Sequence, residues 1–330
     1  MHQFSESEGV VGPVDGLVVP RYAGPPTFAR LPRIDQVTDF DVAILGVPFD
    51  TGTTYRPGAR FGPQAIRAGS RLLRRYHPHM DSEPFHDQQV VDAGDVSCNP
   101  FDLEGAMDAV DQAATELIES GQRLVTLGGD HTIALPLLRA MERQHGPVAL
   151  VHFDAHLDTW DSYFGSSLTH GTPFRRASEE KLFVPGHSMH IGIRGPVSDR
   201  QDLVDDAAMG FSIVGTWETE EIGVGGLIEK IRQRVDGYAV YLSIDIDVLD
   251  PAFAPGTGTP EIGGFSTREL ASIVRGLSGV PVVGLDVVEV SPAYDHAEIT
   301  ALAAANLAYD VVSLMAAGRD RHSSNGATHS

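Results

Sequence analysis

The chain has 330 residues, a net charge of −21, a hydrophobic fraction of 42% and a mean hydropathy of −0.08. This composition indicates a globular protein with one large α/β domain or two smaller ones. No basic stripe indicates nucleic-acid binding, and no apolar run reaches the roughly 20 residues of a membrane span. Because there is no signal-peptide pattern and Cys98 is the only cysteine, we expect a cytoplasmic protein without disulfides or a cysteine metal cage.

Eight short apolar runs recur along the chain, several of them nearly continuous in Val, Ile and Leu. Such runs are typical of strands buried on both faces of a parallel sheet. They are DVAILGV (41–47), QQVVDAG (88–94), RLVTLGG (123–129), VALVHFD (148–154), MHIGI (189–193), FSIVG (211–215), AVYLSID (239–245) and VVGLDVVEV (282–290).

Helical patterns lie between these runs, at residues 104–120, 132–145, 224–235 and 267–277. The alternation predicts a doubly wound α/β sheet with helices on both faces. No Gly/Ser-rich or Pro-rich linker and no repeat interrupts it, so we expect a single domain over residues 1–330. The polar segments at about 1–20 and 319–330 are expected to be flexible tails.

Polar residues follow four of the predicted strands, each at the C-terminal end. GGDH follows the third run, DAHLD follows the fourth, DID closes the seventh, and Glu289 closes the eighth. Open α/β sheets bind ligands at this edge. The pattern therefore predicts a functional site assembled from several strands.

The composition of these polar segments indicates a metal centre. In extended backbone, residues i and i+2 point the same way, so side chains of each segment can converge on one point. The candidate ligands are His131, Asp154, His156, Asp158, Asp245 and Asp247. Carboxylates with imidazole suit Mn²⁺ better than the sulfur-rich sites of structural zinc, and four Asp balance two divalent ions. His152 precedes the segment inside the strand, and we interpret it as a core or supporting histidine rather than a ligand.

These residues resemble the ureohydrolases, the superfamily of arginases and agmatinases. The similarity runs from about residue 20 to residue 310. Its motifs are RPGARFGPQAIR (56–67), GGDHT (128–132), FDAHLD (153–158) and SIDIDVLDPAFAPGTGTPEIGG (243–264). The resemblance implies a three-layer α/β/α fold with an eight-stranded parallel sheet and a binuclear manganese centre. It also implies a homo-trimer or homo-hexamer.

The resemblance also implies how the ligands divide between two Mn²⁺ ions. One ion would take His131, Asp154, Asp158 and Asp245, and the other His156, Asp154, Asp245 and Asp247. Asp154 and Asp245 would then bridge the ions. Two close metal ions can share a water molecule and lower its pKa.

Three residues would carry catalysis in such an enzyme. Asp158 would orient the attacking water, Glu289 in EVSPAYD (289–295) would hold the guanidinium, and His170 in LTHGTPF (168–174) would carry a proton to the leaving amine. The alternatives are purely structural roles: Glu289 could cap a loop, and His170 could be an ordinary loop histidine. No role is assigned to His187 or His190.

The substrate is the least constrained feature. The loop TWDSYFGSSLTHG (159–171) lacks the Ser-Gly-Asn pattern of arginases, and PGTGTPEIGG (255–264) is more like agmatinases, guanidinobutyrases and proclavaminate amidinohydrolases. We predict hydrolysis of agmatine to putrescine and urea, with Asp161 and the acidic balance favouring its ammonium. The alternative is 4-guanidinobutyrate or another guanidino acid, and the acidic balance is also typical of a solvated surface that aids solubility, which is the simpler interpretation. The aromatic side chains of this loop, Trp160, Tyr163 and Phe164, either line the substrate's alkyl chain or pack under the loop.

Two other classes of protein share parts of this pattern. Deacetylases have an arginase-like fold but bind a single zinc with fewer ligands, which disagrees with six candidate ligands here. A catalytically silent relative would have lost ligands or acid–base residues, and all eight are present.

Overall fold

Eight parallel strands form the central sheet of the computed structural model, which describes residues 4–7 and 9–317. They are β3 (Val42–Gly46), β4 (Val90–Asp95), β5 (Arg123–Leu127), β6 (Ala149–Phe153), β7 (Ser188–Ile193), β8 (Phe211–Gly215), β9 (Val240–Asp245) and β10 (Val282–Val288). Their order across the sheet is β4-β3-β5-β10-β9-β6-β7-β8. All eight predicted strands are therefore confirmed.

Eight helices accompany the strands within the described residues. They are α1 (Gly62–Gly69), α2 (Leu103–Ile118), α3 (Ala134–His145), α4 (Pro173–Glu179), α5 (Arg200–Ala208), α6 (Thr216–Val235), α7 (Thr267–Gly276) and α8 (Ile299–Ala317). The predicted helical patterns correspond to α2, α3, α6 and α7. The other four were not predicted: α1, α4 and α5 have only two turns or so, and α8 is apolar on nearly every side, so it lacks a polar face that would mark its period.

The helices cover both faces of the sheet and give the three-layer α/β/α arrangement. Along β3, Val42 and Ile44 pack in one apolar cluster with α1, α6, α7 and α8. Ala43 and Leu45 point the other way and pack with α2 and α3. Because both faces are covered, every residue of β3 is buried, which explains the unbroken apolar run.

Helix α8 is the one described helix that is long and apolar enough to cross a membrane, by length and composition only. Within the molecule, 83% of that apolar stretch is buried. It packs against α1, α7 and β10. This burial is that of a core helix.

The segment 1–20, expected to be flexible, contains an ordered antiparallel pair in its described part, β1 (Phe4–Ser7) with β2 (Val10–Val14). The Gln89 side chain explains the difference, because its amide accepts from Val11 N at 2.8 Å and donates to Val11 O at 2.9 Å. Arg30 donates to Val14 O at 2.8 Å. These long-range hydrogen bonds leave no local sequence pattern. The expected tail 319–330 lies outside the described residues.

Candidate metal centre and active site

Four neighbouring strands in the middle of the sheet carry the predicted site residues. β5 leads into a 3-10 helix, His131–Ile133, and β10 is followed by Glu289. β9 ends at Asp245, and Asp154 is the first residue after β6. Because β5, β10, β9 and β6 are adjacent in that order, their C-terminal ends bring residues more than 150 positions apart to one edge of the sheet.

The first group of candidate ligands surrounds His131. Its Nδ1 lies 2.9 Å from Asp158 Oδ2, 3.2 Å from Asp154 Oδ2 and 3.5 Å from Asp245 Oδ2. All four side chains are almost completely buried.

The second group surrounds His156. Its Nδ1 lies 3.2 Å from Asp247 Oδ2 and 3.3 Å from Asp154 Oδ1. Asp154 therefore presents one oxygen to each imidazole, the arrangement expected of a carboxylate shared by two cations. Among the described residues, Asp245 lies close to one imidazole, that of His131.

The tautomer of His131 tests whether a cation fits these residues. The Ser243 hydroxyl donates to Asp286 Oδ1 at 2.7 Å, so it accepts a hydrogen bond from His131 Nε2 at 2.8 Å. A neutral ring then directs the Nδ1 lone pair at three carboxylate oxygens. Such an arrangement is repulsive unless a proton or a metal cation lies between them. Burial lowers the pKa of His131, but Asp154, Asp158 and Asp245 raise it well above its usual value, and the same donor set fits divalent metal ions.

Repulsion among the buried carboxylates also indicates that this site binds cations. Burial raises the pKa of Asp245 well above its usual value, and the charges of Asp247 and Asp154 raise it further. Burial likewise raises the pKa of Asp247 to about 6, with Asp154 adding to the effect. Bound cations would relieve both costs. The two His/Asp groups are consistent with a binuclear metal site.

His152 lies close to the first group, but its contacts are those of a supporting residue. Its Nε2 lies 2.8 Å from Asp154 Oδ2, and its Nδ1 lies 2.6 Å from His190 Nδ1. Burial lowers the pKa of His152 to about 3 in spite of the Asp154 charge. The neutral ring therefore donates from Nε2 to Asp154.

His190, to which the sequence assigned no role, extends these contacts away from the ligands. Its Nε2 lies 3.2 Å from Asp206 Oδ1 on α5, and the Thr159 hydroxyl donates to the same oxygen at 2.9 Å. Both His190 and Asp206 are completely buried. Through His152, these contacts orient Asp154 from the side away from the other candidate ligands. The sequence could not predict them, because His190 is an isolated polar residue within an apolar run.

Glu289 lies next to the first group with one of its oxygens free. Its Oε1 accepts from the His131 backbone N–H at 2.9 Å and from His170 Nδ1 at 2.9 Å. Its Oε2 finds no hydrogen-bond partner among the described residues, although the side chain is 1% exposed. A buried carboxylate oxygen of this kind requires a donor, and a bound guanidinium would supply it.

His170 is placed to hold or release a proton. Thr54 offers both a donor and an acceptor to His170 Nε2, since its backbone N lies at 3.1 Å and its hydroxyl at 2.6 Å. The ring can therefore be satisfied in either protonation state. Burial lowers the pKa of His170, but Glu289, Asp158 and Asp130 raise it to a net value of about 9.

The loop after Asp158 does not offer the free carboxylate that the sequence suggested. Asp161 is exposed and lies 2.7 Å from Arg176 Nη2, so a cation already balances its charge. Trp160 donates to Asp202 at 3.2 Å and packs edge-on against Tyr163. Phe164 is 89% exposed, so it does not pack under the loop.

Fold and site together define a hydrolase with an arginase-type His/Asp centre, and known proteins give the same class. A model of the arginase family matches residues 40–313. Proclavaminate amidinohydrolase of Streptomyces clavuligerus is 44% identical over 91% of this chain and 96% of that protein, and its solved structure superposes with a TM-score of 0.87. Guanidinobutyrase of Pseudomonas aeruginosa is 43% identical over 92% of this chain and 96% of its own length. Mitochondrial agmatinase of Gallus gallus is 42% identical over 90% of this chain and 87% of its own length.

The chain therefore belongs to the arginase family. With relatives named as agmatinase and as hydrolases of guanidino compounds, it is a ureohydrolase.

Proposed function

We propose that the protein hydrolyses a linear guanidino compound to urea and an amine with the help of two Mn²⁺ ions. The observation that carries this proposal is the buried Oε2 of Glu289, which has no hydrogen-bond partner among the described residues and lies beside two groups of side chains that could hold metal ions.

The residues that would hold the ions are those of the two groups. His131, Asp154, Asp158 and Asp245 would hold one, and His156, Asp154, Asp245 and Asp247 the other. When bound, two divalent cations supply a nucleophile near neutral pH, because they lower the pKa of a shared water. The absence of sulfur among these ligands favours manganese over the zinc of structural sites.

Three side chains would act on the substrate. Glu289 Oε2 accepts an N–H of the guanidinium and places its carbon beside the two groups, with a charge-assisted hydrogen bond. Asp158 accepts a hydrogen bond from the attacking water and fixes its direction. His170, held between Glu289 and Thr54, donates a proton to the nitrogen of the leaving amine.

Agmatine and guanidino acids remain the candidate substrates. The acidic balance favours agmatine, whereas Asp161 does not, because Arg176 already balances its charge. The relatives named as guanidinobutyrase and proclavaminate amidinohydrolase support a guanidino acid, and the agmatinase supports agmatine.

The test is urea release by the manganese-loaded protein from agmatine, 4-guanidinobutyrate, 3-guanidinopropionate, arginine and guanidine. We expect activity with at least one linear guanidino compound and two metal ions per chain by elemental analysis. Asp154→Ala, which removes the carboxylate common to both groups, should lose metal and activity while circular dichroism shows a folded chain. Urea release from none of the five compounds, or one tightly bound zinc per chain, would refute the proposal.

A further inference from the structure

The loop between β3 and α1 contacts His170 at both its backbone and its ring. Gly52 O accepts from the His170 backbone N–H at 3.0 Å, and Gly52 N donates to Asp130 Oδ2 at 2.7 Å. Two residues further on, the backbone N and the hydroxyl of Thr54 contact His170 Nε2, as described above. The loop therefore fixes Thr54 at the ring nitrogen that Glu289 does not occupy.

The hydrogen on Nδ1 of His170 is held by an acceptor and is not the one that the ring gives away. Nδ1 lies 2.9 Å from Glu289 Oε1. This oxygen also accepts from the His131 backbone N–H, so it acts as an acceptor. Nδ1 therefore keeps its hydrogen in both the neutral and the charged ring. The proton that distinguishes the two states, and that the ring can transfer, is the one on Nε2.

The two groups of Thr54 differ in what they can do at Nε2. A backbone N–H only donates, whereas a hydroxyl both donates and accepts. Among the described residues, these two groups are the hydrogen-bond partners of His170 Nε2. The neutral ring can therefore accept from the backbone N–H at 3.1 Å, but the charged ring depends on the hydroxyl at 2.6 Å to accept its Nε2–H.

The burial of the ring makes this difference between the two states important. His170 is 7% exposed, and a buried charged donor without an acceptor is costly. The negative groups that act on the ring are Glu289, Asp158 and Asp130, which follow three different strands of the sheet. They favour the charge of the ring as a whole. Among the described residues, however, the acceptor at Nε2 itself is the Thr54 hydroxyl.

We propose that Thr54 is a positioning residue for proton delivery: its hydroxyl holds the Nε2–H of His170 until the leaving amine takes the proton. This inference rests on the proposed function, since it concerns the proton donor of the same reaction. As the bond between the central carbon and the leaving nitrogen breaks, its electron pair stays on that nitrogen and binds the Nε2 proton. The electrons of the Nε2–H bond remain on the ring as a lone pair, which then accepts from the Thr54 backbone N–H.

The experiment measures kcat and kcat/KM between pH 6 and pH 10 for the manganese-loaded wild type, Thr54→Val and Thr54→Ser, with the best guanidino substrate of the wild type. Valine keeps the shape and the backbone N–H of threonine and removes the hydroxyl alone, whereas serine retains the hydroxyl. Thr51→Val is the matched control, because the Thr51 hydroxyl belongs to the same loop but donates to Pro100 O at 3.0 Å in an exposed contact.

We expect Thr54→Val to lower kcat by about 10-fold to 100-fold at pH 8 and to leave KM within about threefold, since Glu289 Oε2 is unchanged. The decline of kcat at alkaline pH should begin about one pH unit lower than in the wild type, because loss of the acceptor destabilises the charged ring more than the neutral one. Thr54→Ser should retain most of kcat and the wild-type pH profile, and Thr51→Val should behave as the wild type does.

Metal content and thermal unfolding of each variant check that it is intact, and Thr54→Ala carries the test if the valine variant does not fold. The inference is wrong if Thr54→Val keeps the kcat of the wild type or loses it uniformly at every pH. It is also wrong if Thr54→Ser or Thr51→Val shows the same loss and the same shift. Urea release from none of the guanidino compounds by the wild type would instead refute the proposed function itself.

Discussion

Asp158 and Glu289 both have a left-handed backbone, with φ of 54° and 63°. Such angles are uncommon outside glycine and cost about 1–3 kcal/mol. Both residues lie just beyond a strand of the sheet, where the turn redirects their carboxylates toward the ligand groups. The backbone strain therefore lies at the two residues with proposed roles in the reaction: Asp158, which would orient the attacking water, and Glu289, which would bind the guanidinium.

Glu289→Gln should abolish most activity without loss of metal. The amide would present N–H donors where the guanidinium also has donors, so kcat/KM for the best guanidino substrate should fall by about 100-fold or more. Metal content should remain two ions per chain, because Glu289 belongs to neither ligand group.

The matched control for Glu289→Gln is Glu269→Gln. Glu269 forms the capping box of α7 with Ser266, so its substitution should affect stability and leave kcat/KM unchanged. Glu289→Gln with activity within threefold of the wild type would remove Glu289 from the site.

The protonation of His170 should appear in the pH dependence of stability. The carboxylates around it raise its pKa to about 9 in the folded chain, from a model-peptide value of 6.5. A raised pKa stabilises the folded state below pH 6.5, and the contribution is lost as the pH rises through about 9. In chelator-treated protein, the wild type should therefore exceed His170→Gln in unfolding free energy most clearly at pH 6, and the difference should shrink by pH 10.

Urea-induced unfolding followed by circular dichroism at pH 6, 7.5, 9 and 10 would measure this difference. A difference that is constant over the range would mean that the pKa of His170 is the same in the folded and unfolded chain. In that case its contacts with Glu289 and Thr54 would be ordinary hydrogen bonds.

At the level of elements, the strands were predictable and their order was not. Continuous apolar runs mark strands covered on both faces, and all eight were found in this way. The position of β10 between β5 and β9 depends on long-range pairing. β10 pairs with β5 although the two strands are more than 100 residues apart along the chain. Its consequence, that the backbone N–H of His131 donates to Glu289 Oε1, was not predicted from the sequence.

The supporting residues were the part of the site that the sequence could not reveal. The ligands stand in dense motifs such as FDAHLD, where alternation shows that the side chains share a direction. His190, Asp206 and Thr54 instead stand alone among unlike neighbours. Their roles arise from contacts with side chains distant in the sequence, and no local periodicity encodes such contacts.

In the turn after β5, close backbone contacts determine which residue can occupy position 129. A Cβ on Gly129 would lie 1.9 Å from the carbonyl oxygen of Phe49, which accepts a hydrogen bond from Asp130 N. Gly129→Ala should therefore lower the unfolding free energy by about 1–3 kcal/mol. It should also lower activity, because the displaced turn carries His131.

Gly225→Ala provides the contrast, since nothing lies within 4 Å of the added Cβ and the residue lies inside α6. Its stability should be unchanged or higher by about 0.5–1 kcal/mol. Chemical denaturation of both variants measures the effect. A Gly129→Ala variant as stable as the wild type would show that the turn can shift freely.

At the scale of the whole molecule, the net charge of −21 acts on substrates before they reach the site. Agmatine is a dication and should be attracted to this field, whereas a guanidino acid carries one charge of each sign and has no net charge. Salt weakens such attraction, since the screening length is about 10 Å at 0.1 M ionic strength. For agmatine, kcat/KM should therefore fall severalfold between 20 and 500 mM NaCl.

For 4-guanidinobutyrate the same change in salt should alter kcat/KM by less than about twofold, because long-range steering requires a net charge. Steady-state urea assays at four salt concentrations, with metal content checked at each, separate the two cases. An equal fall for both substrates would mean that salt acts on the metal centre or on the fold, and no fall for either would mean that the acidic surface lies too far from the opening to steer a cation. In either of those cases the acidic balance serves solvation, and selection between the two substrates takes place within the site.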